Sequence, residues 1–272
     1  VTLERASARE TAIRTAAGAL CAQLLGVFGI RIGAFVSAIG AVEARLENDH
    51  DWETLWATAE NDPVRCPDPD ASAEMTRLID KARKERDTLG GSVVVAATGV
   101  PAGLGSCMQA DRRLDGILMG RLGAIPSVKG VMIGLEGAHL LRGSQVHDAI
   151  RLEGEVISRP TNRAGGLEGG ISNGEPLVAH VFFKPLSTLL KGLPSVDLAS
   201  GQEADAAYER SDICAVPRGA VVCEAVMALV ITEALIEKLG GDSVEEMQGR
   251  FKALCQPSLK DLKAEGKPRK WW

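Results

Sequence analysis

Asn162-Arg163-Ala164-Gly165-Gly166-Leu167-Glu168-Gly169-Gly170-Ile171-Ser172-Asn173-Gly174 is a stretch in which side chains give way to backbone, with five glycines in ten residues. Glycine takes positive φ without strain and has no Cβ, so paired glycines let main-chain N–H groups turn toward a bound group. A flexible surface turn has the same composition. Asn, Arg and Ser at regular steps, and the strand-like Leu177–Phe183 that follows, favour a shaped ligand loop. Arg5, Ser7 and Arg9 open the first helix, where unpaired N–H groups and the dipole attract an anion and two arginines add bidentate donors. A solvated helix start with a capping Ser would read the same way. Lys184-Pro185-Leu186-Ser187-Thr188 ends a strand with a cation, a rigid bend and two hydroxyls, or is a plain strand terminus. Arg210-Ser211-Asp212 is either a surface ion pair of little worth or a carboxylate among cations, ionised at neutral pH and suited to act as a base.

None of the four histidines has the surroundings of a catalyst. His139 and His180 lie in or beside apolar stretches and are expected to be packed; His50 falls in a variable loop; His147-Asp148 follows Gly143-Ser144 without an assignable task. There is no G-x-x-x-x-G-K-[ST], H-E-x-x-H or G-x-S-x-G, and the glycine loop does not open a helix with an acidic residue downstream. NTPase, zincin, hydrolase and dinucleotide readings therefore lack support, and no metal site is expected.

The elements that must position these residues can be read from periodicity. Ser7-Ala8-Arg9-Glu10 fits a capping box, and Ile13, Ala17, Leu20, Leu24 and Phe28 then recur at helical spacing, which predicts one buried face. Val27–Gly40 reads as a strand region, and Ala41–Asp70 as a loop with a helical piece around Trp52–Ala59. Asp70 or Ser72 can cap a helix with a Met75, Leu78, Ile79, Ala82 stripe, stopped by Gly90-Gly91. Ser92–Thr98 is a β-branched run, Gly99–Gly105 a rigid turn, Arg112–Leu122 a third helix and Val128–Ile133 a strand. Glu155–Arg159 and Leu177–Phe183 flank the glycine loop. Ala220–Leu239 is apolar on most sides and belongs in the middle of a fold. Ser243–Glu246 is a further capping box, and the basic tail Pro257–Trp272 reads as an arm or subunit contact. With no linker and no repeat, 272 residues are expected to form one α+β domain.

A net charge of −5 argues against a nucleic-acid partner. Six scattered cysteines without C-x-x-C spacing suggest free thiols in a reducing cytoplasm. No apolar run is expected to span a membrane and no signal peptide opens the chain. The chain begins at Val1 without Met and enters a helix-start signal at once, which points to a processed or truncated chain.

Four blocks in one order, Arg5–Thr11 (Arg-Ala-Ser-Ala-Arg-Glu-Thr), Asn162–Gly174, Lys184–Thr188 and Arg210–Pro217 (Arg-Ser-Asp-Ile-Cys-Ala-Val-Pro), resemble the chorismate synthase family. The resemblance implies a layered β-α-β sandwich with helices between antiparallel sheets, assembled as a homotetramer. It implies anti-1,4-elimination of phosphate from 5-enolpyruvylshikimate 3-phosphate to give chorismate, with reduced FMN. Flavin contacts would fall on Arg5, Ala6 and Ser7, on the dipeptide Pro126-Ser127, on Gly169, on Lys184, Pro185, Leu186, Ser187 and Thr188, and on Arg210. Arg9 and Arg210 would meet the substrate, and Asp212 would stand beside the flavin and help proton transfer. Ala6 replaces a second Ser common in the family, and Ser127 a usual Ala. The family's two general-acid histidines belong to an N-terminal segment that the resemblance leaves out of this chain. A flavin-binding or oligomer-forming body without catalysis of its own is thus the alternative, and a generic phosphate-binding α+β protein a third.

Overall fold

In the computed structural model the residues described are 7–46, 51–154, 156–206 and 212–254. Along the chain these form α1 (Thr11–Val27), β1 (Arg31–Ile39), β2 (Val42–Glu43), α2 (Trp52–Glu60), α3 (Pro69–Lys84), β3 (Gly91–Thr98), α4 (Leu114–Gly123), β4 (Val128–Ile133), α5 (Gly143–Val146), β5 (Arg151–Glu153), β6 (Val156–Ser158), β7 (Leu167–Glu168), β8 (Ile171–Ser172), β9 (Leu177–Phe183), β10 (Pro194–Val196), β11 (Glu203–Asp205), α6 (Val216–Leu239) and α7 (Val244–Ala253). The β-branched runs pair into an antiparallel sheet in the order β2-β1-β3-β9-β4. Two-residue alternation puts Leu177, Ala179, Val181 and Phe183 of β9 on one face. There they join Val93, Val95, Val226, Met227 and Ile231 in the main core, beneath α6, α1 and α4. On the opposite face α2 closes a smaller cluster, Phe35, Ala59 and Val94, with Trp52, Leu55 and Trp56 packed against it. The α+β architecture with antiparallel sheets is the one expected, and α6 is its central helix.

The sheet has two ends that matter below. Gly91 of β3 pairs with Phe183 and Val128 pairs with Phe183 at one end; Thr98 pairs with Arg31 and Ala97 with Leu177 at the other. Both α1 and α6 run from the Gly91 end to the Thr98 end: α1 delivers the chain to Arg31, while α6 has Gly219, near its start, against the Phe183 ring and Lys238, near its finish, beside Gly103. At about 3.3 Å per residue, the seven residues of β9 set the two ends roughly 20 Å apart.

Several sequence expectations are corrected. In α1 the buried residues are Gly18 and Leu25, whereas Ile13 is 76% and Leu20 70% exposed. The face turned inward is chosen by the smallest side chain: a Cβ on Gly18 would come within 2.5 Å of Ala225 Cα, so α1 and α6 meet closely there. Ser7 caps a short 3-10 turn, Ala8–Glu10, by accepting from Arg9 N–H, and α1 begins only at Thr11. The cap of α3 is Asp68, which accepts from the amides of Asp70 and Ala71, with Pro69 in the first turn where its missing N–H costs nothing. Helix α4 starts at Leu114, after a separate 3-10 turn at Ala110–Arg112. Helix α6 starts four residues before the sequence reading, with Pro217 in its first turn, and at 24 residues it is long and apolar enough to cross a membrane. The window that qualifies is 72% buried against the sheet and its neighbours, where a core helix needs that composition. Cys21, Cys66, Cys107, Cys214 and Cys223 are free thiols.

Candidate functional site

The Gly91 end gathers residues far apart in sequence. Lys184 leaves β9 with its N–H donating to Ser127 O at 2.9 Å. Ser127 itself takes φ +73°, a left-handed conformation that costs a side-chain-bearing residue about 1 kcal/mol. Strand β3 is approached through Thr88-Leu89-Gly90. Thr88 Oγ1 donates to Leu186 O at 2.7 Å, and Leu89 N–H donates to Ile213 O at 2.9 Å. Leu89 also forms a parallel bridge with Cys214, so the Asp212-Ile213-Cys214 segment lies beside it and then enters α6. Gly90 packs so closely on the Phe183 carbonyl and Pro185 N that a Cβ would collide with both. Arg14 of α1 reaches Ala124 O at 3.5 Å, and Ala124 stands two residues before Pro126, which places the start of α1 at this end.

The charges here are mixed. Among the described residues Lys184 Nζ donates only to the carbonyl of its neighbour Pro185, at 3.3 Å. Asp212, half exposed, is paired with Arg218 of the first turn of α6. Arg14 is held by Glu10 at 2.7 Å. Two helices begin at this end; Ala215, the N-cap of α6, makes no side-chain cap, Val216 N–H is turned to the Cys214 sulfur, and Pro217 has no N–H. Cations with two helix starts suit an anionic ligand. Lys184, Ser127, Leu186 and Asp212 are thus brought together, and Ser7 and Arg9 lie at the helix start on the same side. The residues Arg5, Ala6 and Arg210 of the sequence reading fall outside those described.

Gly169 is not part of that group. The glycine loop sits at the Thr98 end: Gly105 bridges to Ile171, Leu114 N–H donates to Gly170 O at 3.0 Å, and Gly134, past the end of β4, abuts Arg163 O. The loop is pinned rather than flexible. Asp148 Oδ1 accepts from Thr161 Oγ1 at 2.6 Å and from Arg163 N–H at 2.8 Å, while Oδ2 accepts from Ala164 N–H at 2.8 Å. Burial raises the Asp148 pKa, but these three donors and the Arg163 charge outweigh it and hold the carboxyl below its ordinary value. Asn162 accepts from Gly166 N–H and donates to Pro176 O, both at 2.8 Å. Arg159 and Asn173 both bond Glu168 at 2.8 Å. Gly165, Gly166 and Gly170 have no room for a Cβ; Gly169, at φ +62°, faces open space, leaving a backbone surface that a flat ring could approach.

Of the histidines, His180 is packed within the sheet, with Nδ1 3.4 Å from Glu136 and its pKa lowered by burial. His139 and His147 are exposed, which corrects the expectation for His139. Among the described residues no histidine lies beside Lys184, and no cluster could hold a metal ion. Sequence reasoning missed Thr88 and Asp148. The adjacency of His147-Asp148 to Gly143-Ser144 was the one available signal for Asp148; Thr88 carried none.

The residues at the Gly91 end fit a phosphate-bearing flavin in charge and hydrogen-bonding capacity: the half-buried Lys184 ammonium, whose one partner among the described residues is the Pro185 carbonyl, and the hydroxyls of Ser127, Ser187 and Thr188. A family model described as chorismate synthase matches residues 1–236. Among relatives, the chorismate synthase of Symbiobacterium thermophilum is 51% identical over 93% of this chain and 66% of its own length. That of Moorella thermoacetica is likewise 51% identical, over 93% of this chain and 66% of its own length. That of Desulforudis audaxviator is 52% identical over 90% of this chain and 63% of its own. A solved structure, a crystal structure of chorismate synthase, superposes with a TM-score of 0.78 at 40% identity, covering 91% of this chain and 69% of that one. The chain spans about two-thirds of the length of the relatives it matches.

Proposed function

Since the chain belongs to the chorismate synthase family, we propose that it contributes the flavin- and substrate-holding body of that enzyme. The reaction is anti-1,4-elimination of phosphate from 5-enolpyruvylshikimate 3-phosphate: the C–O bond to phosphate breaks, a hydrogen leaves C6, and a second ring double bond forms to give chorismate. The observation that carries the reading is the meeting of Ser127, Lys184, Leu186 and Asp212 where α1 and α6 both begin. Reduced FMN, when bound, would supply the transient electron density that loss of phosphate and of the C6 hydrogen requires, with no net oxidation. Lys184 opposes negative charge on the flavin, and the main chain of Pro185–Thr188 and Ser127, with Arg5, Ala6, Ser7 and Pro126, lines it. Arg9 and Arg210 bind the substrate's anionic groups, and their charge is worth most where water is excluded. Asp212 accepts or relays the proton at its carboxylate, for which it must leave Arg218. Gly169 contributes bare backbone at the other end of the sheet. Assembly is as a homotetramer of single-domain chains, in the cytoplasm.

A second reading, flavin binding or assembly without turnover by this chain alone, is favoured by the lack of any histidine beside Lys184 among the described residues and by the two-thirds coverage. Both are tested by supplying reduced FMN and substrate anaerobically and following chorismate absorbance, alongside titration of FMN fluorescence. Turnover supports the full reaction. Tight quenching without turnover leaves only the second reading, and no selectivity for FMN over free phosphate removes both.

A further inference from the structure

We propose that Thr88 is a positioning residue of this site, fixing the spacing between the Lys184–Thr188 segment and the Asp212 segment without touching a ligand; the inference rests on the functional reading above. Thr88 is only 7% exposed, and its hydroxyl donates at 2.7 Å to Leu186 O, 98 positions away. Its N–H is held by Asp87 Oδ1 at 2.8 Å, while Asp87 Oδ2 takes Lys191 Nζ at 2.6 Å, beyond the far end of the same segment. One residue on, Leu89 N–H bonds Ile213 O, beside Asp212. A further residue on, Gly90 lies against Phe183 O and Pro185 N with no space for a side chain.

Four consecutive residues therefore grip the Lys184 segment at two places, its continuation at Lys191, and the Asp212 segment at one. Peptide bonds between Thr88 and Leu89 allow little slack, so the two functional segments share one rigid reference. Pro185 stiffens the gripped segment further, because its ring fixes φ. Without the Thr88 hydroxyl the Leu186 carbonyl loses its partner, and the segment is held at its start, by Ser127 and Gly90, and beyond its end, at Lys191. Lys184 and the backbone of residues 185–188 would then no longer present one fixed surface, whereas β9 keeps its full ladder to β3 and β4.

The test compares Thr88→Val, which keeps shape and removes the hydroxyl, with Thr88→Ser, which keeps the hydroxyl. Thr88→Val is expected to weaken FMN binding about tenfold, the scale of one buried hydrogen bond, and to speed amide exchange in residues 186–191 but not within β9. Thr88→Ser should restore affinity to within about twofold of the parent. Parent-like binding by Thr88→Val, or equal impairment of both variants, overturns the inference. If the parent chain binds no FMN, the functional reading falls on that result alone. The exchange measurement then decides the positioning: unchanged rates at 186–191 in Thr88→Val overturn it, and faster rates confined there sustain it.

Discussion

The two ends of the central sheet are held by different chemistry. At the Gly91 end the segments are joined mainly to main chain: Lys184 N–H to Ser127 O, Leu89 N–H to Ile213 O, and a single hydroxyl, Thr88, to Leu186 O. At the Thr98 end the glycine loop is gathered by carboxylates and an amide, Asp148, Glu168 and Asn162. Backbone joints fix position with little dependence on pH and leave cationic side chains outside them. Carboxylate joints are stronger per bond, because hydrogen bonds to charged groups contribute about 1.5–3 kcal/mol each, but they answer to protonation. The carboxylate joint at the Gly91 end, Asp87, has its charge answered by Lys191, so it opposes an anionic ligand less than a bare carboxylate would.

The largest expected effect that breaks this comparison is Asp148→Ala, which leaves three donors without their acceptor and should cost about 4 kcal/mol, read from urea unfolding. Asp148→Asn should cost less, since one oxygen survives but its NH2 faces an N–H donor. The sign with pH follows from the lowered carboxyl: its stabilisation is present above the ordinary value of 3.8 and is lost as pH falls through the folded-state value. Next is Gly90→Ala, where a methyl meets backbone atoms that cannot swing away; about 3 kcal/mol of destabilisation is expected, the upper range for overpacking.

Glu224, in the first half of α6, sharpens the contrast by carrying the opposite sign. It accepts from Ala34 N–H at 3.0 Å and from Arg65 Nη2 at 2.6 Å at the edge of β1. Burial raises its pKa from 4.5 to about 6 in spite of Arg65. A raised carboxylate contributes stability that is present below pH 4.5 and lost as pH rises through about 6. Glu224→Gln keeps an acceptor for Ala34 and should flatten that change, on the order of 2 kcal/mol, in thermal unfolding scanned between pH 4 and 7. The smallest expected effect is at Gly169, where open space makes the cost of Gly169→Ala only the left-handed backbone, about 1 kcal/mol. Since the Gly91 end is roughly 20 Å away, a loss of FMN affinity with little loss of stability would support a ring reaching Gly169 from elsewhere in the assembly, and unchanged affinity removes the contact.

Much of the fold was legible where the signal is local. Leu177–Phe183 and Val128–Ile133 begin and end where their β-branched runs do, and Gly240 stops α6 as a helix-ending glycine should. The capping reading at Ser243 holds in half: Ser243 accepts from Glu246 N–H, but the Glu246 side chain bonds Asp242 N–H instead. The inward face of α1 was not legible, because an apolar stripe of Ile13 and Leu20 outscores Gly18 in any periodicity count while close packing against Ala225 selects the glycine. Nor could a Thr between a helix and a strand be told from a turn residue, its partner being 98 positions away.

The sequence by itself determined the family, through four blocks of unusual residues in one order, and the elements, through side-chain periodicity and glycine punctuation that act over a few residues. Only the tertiary structure decided which blocks meet. Two blocks separated by nine residues, Asn162–Gly174 and Lys184–Thr188, lie at opposite ends of the sheet because an extended strand carries the chain away, while Thr88, Ser127 and Asp212 reach Lys184 from afar because antiparallel pairing and helix packing return them to one edge.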